Sequence, residues 1–221
     1  MSPPVGPTGL RYCSGGDDAD LAWHVGVSGA FSGTHIEFSS SGRTFDTYFD
    51  KYAVTASVDR RLGERWTIGG ALGSTVTGAL DVAGVTSTVS PGPLGAFTAS
   101  FRPLDEGDLA PFVLFTGSAA ASVSWTSPPG GGASSALSAF DLRLGVVAGK
   151  TLAHLVTPYL LARAFGGPVF WSGGGPSATG TDANHYQLGA GVSVHVGRVD
   201  AMVEGVPLGE LGLVVGLGFA F

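Results

Sequence analysis

Large apolar side chains alternate with small or polar ones along most of the chain, and the last eleven residues show this most clearly. Every odd position from Leu211 to Phe221 is large and apolar, whereas the even positions are glycine or alanine except for Val214. Successive side chains of a β-strand point to opposite faces. A period of two therefore predicts a strand with one apolar face and one nearly bare face.

Nine further segments have strand character, and each is about long enough for the ~9–11 residues of a tilted strand that spans a bilayer. All ten segments run 21–31, 45–58, 66–80, 88–101, 111–125, 137–149, 158–171, 185–196, 199–206 and 211–221. The ninth is short, so eight strands stay open beside ten. We predict an all-β fold, a closed antiparallel up-and-down transmembrane β-barrel of residues 20–221, preceded by a disordered amino-terminal tail of residues 1–19.

The connections between these segments alternate in character. Five are loose and rich in Gly and Ser, and the longest two span 127–136 and 172–184. The four between them are compact and hold six of the eleven basic residues, which are Arg60, Arg61, Arg65, Arg102, Lys150 and Arg198. This alternation predicts that the compact turns, together with the carboxy-terminus, lie at one end of the barrel and the looser loops at the other.

The composition narrows the class of protein. The chain has 37 Gly and only 13% charged residues, yet its mean hydropathy is +0.31. No stretch reaches the ~20 apolar residues that a membrane-spanning helix needs, which favours membrane strands. The net charge of −6 and the lack of a basic cluster argue against nucleic-acid binding. With Cys13 as the one cysteine and no zinc-type spacing, we expect no metal and no cofactor.

The chain resembles the small outer-membrane β-barrel proteins of Gram-negative bacteria. The resemblance rests on the alternation from about Leu21 onward and on the terminal Leu217-Gly-Phe-Ala-Phe221. It implies a place in the bacterial outer membrane, contact with its lipid, and an assembly signal at Leu217, Phe219 and Phe221 that the barrel-assembly machinery reads. The first residues lack the features of a signal peptide. We therefore expect a mature form, or a gene start placed too late.

Six polar residues share the inward face of the later strands and form the candidate binding site: Asp141, Arg143, Arg163, His185, Gln187 and Glu204. Neighbouring strands could join them into one network on the lumen wall. A charge on the lipid face costs ~2–4 kcal/mol near the midplane, which favours an inward position for Arg143 and Arg163. Two interpretations stay open: an ion-pair lattice that stabilises the wall, or a site for small solutes in a narrow channel.

A hydrolase constellation is also nominally present. Ser193 and His195 lie two apart on one strand face, and Asp200 follows across a turn. The order of Ser and His is reversed relative to the outer-membrane lipid hydrolases, so we expect no enzyme. The favoured role is a non-catalytic barrel, either structural or a narrow passive pore. The alternatives are an outer-membrane enzyme or adhesin acting through loops 127–136 and 172–184, and a secreted soluble β-barrel that binds an apolar ligand.

Overall fold

A computed structural model describes residues 8–13, 21–172 and 177–221, which form one short 3-10 helix, Leu10–Cys13, and thirteen strands. The strands are β1 (Trp23–Ser40), β2 (Arg43–Leu62), β3 (Trp66–Val82), β4 (Val85–Ser90), β5 (Gly92–Leu104), β6 (Phe112–Ser127), β7 (Ser135–Gly149), β8 (Val156–Gly166), β9 (Pro168–Ser172), β10 (Ala178–Asp182), β11 (Tyr186–Val196), β12 (Val199–Gly209) and β13 (Leu211–Ala220). None of the described residues forms a helix long and apolar enough to cross a membrane.

Ten of these strands close into a ring whose neighbours are all antiparallel. Their order is β1, β2, β3, β5, β6, β7, β8, β11, β12 and β13, and β13 pairs back onto β1. The closing seam runs from His24 opposite Ala220 to Gly33 opposite Leu211. The predicted closed, up-and-down barrel of ten strands is confirmed. We call the end that carries the carboxy-terminus the lower end, and the opposite end the upper end.

Above the last hairpin the ring narrows from ten strands to eight. β12 and β13 meet at the turn around Glu210, and above this turn β1 pairs with β10 instead, with Ile36 opposite Asp182 and Ser39 opposite Thr179. At this height β9 and β10 connect β7 to β1, while β4 connects β3 to β6. The barrel therefore has ten strands in its lower part and eight in its upper part.

One predicted loop is partly wrong. Residues 178–182, inside the loop predicted at 172–184, form β10 and pair on both sides with other strands. The sequence Ala-Thr-Gly-Thr-Asp lacks large apolar residues, so it carries no alternation that could have revealed a strand. Residues 173–176 of that loop lie outside the described part of the chain. In the other predicted loop, residues 128–134 do connect β6 to β7.

The outer face of the ten-strand ring is apolar, and we call it the apolar belt. Leu72, Leu144, Leu160 and Leu217 face outward with 65–74% of their surface exposed. The charged side chains buried inside include six on strands of the ring and two beside them: Lys51, Asp141, Arg143, Arg163, Asp200 and Glu204 on the ring, and Asp182 and Glu210 next to it. A soluble barrel has the opposite arrangement, with apolar side chains inside and charges outside.

Two apolar clusters and one group of charged side chains occupy much of the barrel interior. The upper apolar cluster consists of Ile36, Phe38, Phe49, Leu80, Val89, Leu137, Ala139, Val169 and Ala178. The lower apolar cluster consists of Leu10, Cys13, Phe112, Leu114, Val147, Tyr159, Leu161 and Val206. On β7, Asp141 and Arg143 lie between residues of the two clusters. Together with the other buried charged and amide side chains of this region they form what we call the central ionic layer, in which each member is at most 8% exposed: Lys51, Asp141, Arg143, Arg163, Asp182, Gln187, Glu204 and Glu210.

The prediction of a disordered tail is wrong for residues 8–13. Leu10, Arg11, Tyr12 and Cys13 form the 3-10 helix and are all buried, with Leu10 and Cys13 packed in the lower apolar cluster. Two apolar side chains and an aromatic ring supply enough surface to fold this segment against the barrel interior. Residues 1–7 and 14–19, the rest of the predicted tail, lie outside the described residues.

Candidate functional site

Arg143 organises one half of the central ionic layer. It projects inward from β7, and its Nε donates to Asp141 Oδ2 at 2.6 Å. Its Nη2 donates to Glu210 Oε2 at 3.0 Å, and its Nη1 donates to Gln187 Oε1 at 3.4 Å. The guanidinium also lies 5.1 Å from the centre of the Phe165 ring. One planar cation therefore connects β7, β11 and the turn between β12 and β13.

Glu210 receives a second donor, because Gln187 Nε2 lies 2.8 Å from Glu210 Oε2. The carboxylate is fully buried although it belongs to a hairpin turn. Gly209 makes this turn tight: its φ is +87°, and a Cβ there would lie 1.8 Å from the carbonyl oxygen of Tyr186. Only glycine fits that position. The buried turn is thus tied to the wall by its own carboxylate.

Arg163 and Glu204 form the other half of the layer. Arg163 Nη1 donates to Glu204 Oε1 at 2.7 Å and Nη2 donates to Glu204 Oε2 at 3.1 Å, a bidentate pair. The hydroxyl of Tyr159 donates to the same carboxylate at 3.2 Å. The pair crosses from β8 to β12 past β11. Both oxygens of a fully buried carboxylate are thereby satisfied.

Lys51 and Asp182 complete the layer on the side of β1 and β2. Lys51 is buried on β2, within electrostatic range of Glu210, Asp141 and Asp182. Asp182 Oδ1 accepts a hydrogen bond from Thr34 at 3.1 Å. The layer therefore holds three cationic side chains against four carboxylates. Such a near-balanced, hydrogen-bonded set braces the wall across several strands.

Five of the six residues in the predicted binding site meet in this layer, and one does not. Asp141, Arg143, Arg163, Gln187 and Glu204 all point into the lumen and are buried. His185 is exposed, because β11 begins only at Tyr186 and His185 belongs to the link that follows β10. Its predicted inward position is wrong. The binding role of the other five stays a prediction.

Two members on which the layer depends, Lys51 and Glu210, are not among the six predicted site residues. Lys51 shares an inward face with Ala53 and Thr55, opposite the exposed Tyr52 and Val54, so the same alternation would have placed it. Glu210 carries no such signal, because a carboxylate in a hairpin turn is normally solvent-exposed. Above this turn the wall continues with β10 paired to β1, and Glu210 is buried against Arg143 and Gln187.

The residues of the nominal hydrolase constellation all lie inside the barrel. Ser193, His195 and Asp200 are each at most 8% exposed. However, Asp200 Oδ1 contacts the ring of His24, with His24 Nε2 at 2.9 Å. The carboxylate that would orient His195 is therefore engaged by a histidine on another strand. His24 Nδ1 faces Asp59 Oδ2 at 3.5 Å, so its ring lies between two carboxylates.

A cavity of about 60 Å³ lies beside His24, on the wall formed by the first and last strands. Its lining includes Ser28, Ser57 and Thr98, together with Thr8 of the amino-terminal segment. The bare face of β13 does not leave this wall empty. Gly218 lies directly beneath the His24 ring, since a Cβ there would lie 2.1 Å from His24 Nε2. The glycines on the inner face of β13 leave room that side chains of the neighbouring strands occupy.

The upper apolar cluster fills the lumen of the eight-strand section. Seven of those eight strands contribute residues to it, and the eighth, β6, contributes the buried Thr126, whose hydroxyl accepts a hydrogen bond from Trp171 Nε1 at 3.0 Å. Ile36, Phe38, Leu80 and Val169 have no solvent exposure at all. These apolar side chains occupy the lumen at that height.

The terminal strand presents its apolar residues outward. Leu217, Phe219 and Phe221 are 42–65% exposed, and the rings of Phe219 and Phe221 stack with centres 6.2 Å apart. This places the whole predicted assembly signal on the apolar belt at the lower end. Its recognition by the barrel-assembly machinery stays a prediction.

This ring of outward-apolar strands defines the chain as an outer-membrane β-barrel in fold. Among solved structures, it is similar to the outer membrane protease OmpT from Escherichia coli, with a TM-score of 0.59 and 10% identity over 92% of this chain and 97% of that one. It is also similar to the translocator domain of the autotransporter NalP from Neisseria meningitidis, with a TM-score of 0.51 and 15% identity over 96% and 93%. At these identities the likeness shows the fold alone.

No protein-family model matches the chain. No curated protein matches its sequence either.

Proposed function

We propose that this chain is a non-catalytic, structural outer-membrane β-barrel with a sealed lumen, which holds a compact eight-stranded extension above the bilayer. The apolar belt and the fold shared with outer-membrane proteins support the membrane location. The compact charged turns at the lower end support a periplasmic position for that end. On β1 and β10 the outer face of the extension is polar, with Glu37, Ser39, Thr179 and Thr181 exposed to solvent.

The observation that carries the proposal is the upper apolar cluster. A passive pore needs a continuous aqueous path, and its selective charges must face that path. In this barrel, apolar side chains without solvent exposure cross the lumen at one height. Directly below, the charges of the central ionic layer bond mainly to one another. Both features favour a barrel whose charges brace the wall. They argue against a narrow passive pore, which was the other interpretation of the sequence.

The experiment is a conductance recording on the folded protein in a planar bilayer. We expect no single-channel conductance steps. We also expect that liposomes containing the protein do not swell in isotonic solutions of small sugars. Incorporation is verified by heat-modifiable gel mobility of the same liposomes. Regular steps from verified, folded protein would contradict the sealed lumen.

Variants of the ionic layer sharpen this test. If the lumen were a charge-selective channel, Arg143→Ala would change the ion selectivity of existing steps. In a sealed barrel the same variant stays silent and shows only a lower unfolding temperature. The matched control is Arg43→Ala, which removes an exposed arginine at the upper end and should leave both readouts unchanged.

A further inference from the structure

The amino-terminal segment of residues 8–13 lies inside the lower half of the barrel without belonging to its wall. Every strand of the ten-strand ring pairs on both sides with another strand of the ring. The segment adds no strand to that ring, and the backbone hydrogen bond from Tyr12 N to Gly9 O lies within the segment itself. The wall is therefore complete without it.

Side chains of the segment and of the barrel rim together hold the segment in place. Arg11 Nη2 donates to the carbonyl oxygen of Gly197 at 2.5 Å in the last lower turn. The Arg102 guanidinium donates to the carbonyl oxygen of Tyr12, and the Arg61 guanidinium lies 5.8 Å from the centre of the Tyr12 ring. Cations from the rim and a cation of the segment thus fasten it at the mouth of the barrel.

The inner wall receives the segment on an apolar surface. Leu10 and Cys13 pack against Phe112, Leu114, Val147, Leu161 and Val206, which come from four strands. Gly9 has a φ of +84°, and a Cβ there would lie 2.5 Å from Ser100 Oγ, so the chain can turn into the lumen at this point only as glycine. The fit is complementary in shape, in charge and in apolar surface.

We propose that the lower half of the lumen is a binding site for a short peptide with apolar side chains around an arginine and a tyrosine. Residues 8–13 fill this site as an internal, releasable plug. The plug can leave while the wall stays closed, since the wall needs none of its backbone hydrogen bonds. Its departure opens a chamber that faces the lower end and ends at the central ionic layer. This proposal is independent of whether the upper end is sealed.

Cys13 is a built-in reporter for the plug because it is the chain's one cysteine. Its side chain is 3% exposed, and burial raises the pKa of the thiol to about 12. Thiols react as thiolates, so a seated plug protects Cys13 both by access and by protonation. A released plug exposes an ordinary thiol.

The first test measures the rate at which a membrane-impermeant maleimide labels Cys13 in the full-length folded protein. We expect labelling at least ~100-fold slower than in the urea-unfolded chain, because only the open state reacts. The double variant Gly9→Val/Leu10→Asp changes the plug and leaves the wall untouched. It should raise the rate at least ~10-fold while heat-modifiable mobility still reports a folded barrel.

Three results would overturn the plug. Fast labelling of the folded wild type would mean that the segment is not seated in the lumen. Loss of the folded band in the double variant, or labelling no faster than in the wild type, would mean that the segment is an integral part of the fold. The control Gly29→Ala, at a position with open space around the added Cβ, should label as slowly as the wild type.

The second test addresses the binding site itself. A fluorescent peptide with the sequence of residues 8–13 and Cys13→Ser is titrated onto the folded double variant and onto the wild type. We expect saturable binding to the variant and at least ~10-fold weaker binding to the wild type, whose own segment competes at high effective concentration. Absence of binding to a variant that labels quickly would overturn the peptide site.

Discussion

His24 and Asp200 contact each other at 2.9 Å across the last strand of the barrel. His24 lies on β1 and Asp200 on β12, with β13 between them, and the contact passes over Gly218, which pairs with Asp200 in register. The ring of His24 also faces Asp59 on β2. Four consecutive strands around the closing seam are thus joined on their inner side. We call this contact the seam clasp.

Removing the histidine should weaken the seam. We expect His24→Ala to lower the free energy of unfolding by about 1–3 kcal/mol, because two carboxylates lose their partner in a mostly buried place. The measurement is urea unfolding of the folded protein in lipid vesicles. His35→Ala is the control, since that ring lies outside the barrel against Tyr48. Equal losses for both variants would show that the clasp contributes nothing.

Two glycines on the same face of β13 should respond differently to an added methyl group. At Gly218 a Cβ would lie 2.1 Å from His24 Nε2 and 2.8 Å from Asp200 Oδ2, whereas at Gly216 the nearest atom is Met202 Cγ at 3.2 Å. Met202 is flexible and can yield. Gly218→Ala should therefore destabilise the barrel about as much as His24→Ala, by about 1–3 kcal/mol, and Gly216→Ala clearly less.

If the seam clasp is real, the destabilising effects of His24→Ala and Gly218→Ala should not be additive. In the background of His24→Ala, the change Gly218→Ala should cost little, because the atoms it would strike are absent or free to move. If the losses of unfolding free energy in the double variant were fully additive, the effect of Gly218→Ala would not arise from its contact with His24.

Arg143 and Glu210 should show strong coupling. Arg143→Met deprives Asp141 and Glu210 of their hydrogen-bonded guanidinium, which we expect to cost about 3–5 kcal/mol of unfolding free energy. The double variant Arg143→Met/Glu210→Gln should lose less than the sum of the two single variants, by about 0.5–3 kcal/mol. Thermal unfolding of all four proteins closes the cycle. Additivity would mean that the contact carries no energy of its own.

The Arg163–Glu204 pair predicts an order among three variants. Glu204→Gln leaves a buried guanidinium without a counter-charge, and about 3–5 kcal/mol is expected. Tyr159→Phe removes one of the three donors to Glu204, and about 0.5–1.5 kcal/mol is expected. The exposed Tyr186→Phe on the outer face should change nothing. Heat-modification temperatures in detergent rank the three, and a milder effect of Glu204→Gln than of Tyr159→Phe would contradict the bidentate pair.

The alternation of side chains was enough to predict the ten-strand ring and the inward position of Arg143, Arg163 and Glu204. A charge on the lipid-facing side of a membrane strand costs free energy, so the alternation of side chains and the cost of a lipid-facing charge both predict an inward position for these residues. At Glu210 and His185 the local pattern misleads, because the ends of strands are set by which strands pair above the short last hairpin. That pairing is a tertiary feature, with β10 replacing β13 beside β1.

The amino-terminal segment shows the same limit. Leu10, Tyr12 and Cys13 stand among prolines, glycines and aspartates that predict a tail. Nothing in their spacing indicates that the barrel interior offers an apolar wall from β6, β7, β8 and β12. Contacts between residues more than a hundred positions apart determine where this segment packs. The periodicity of the sequence contains no information on such contacts.

The apolar belt and the upper extension should tolerate a charge very differently. Leu144 faces outward in the middle of β7, and Leu144→Lys should cost about 2–4 kcal/mol if lipid covers that position. Thr181 also faces outward, but on β10 above the last hairpin, where water meets the barrel. Thr181→Lys should therefore stay within about 0.5 kcal/mol of the wild type. The measurement is reversible unfolding from lipid vesicles, and a penalty of similar size at both positions would contradict the boundary that we place between the belt and the extension.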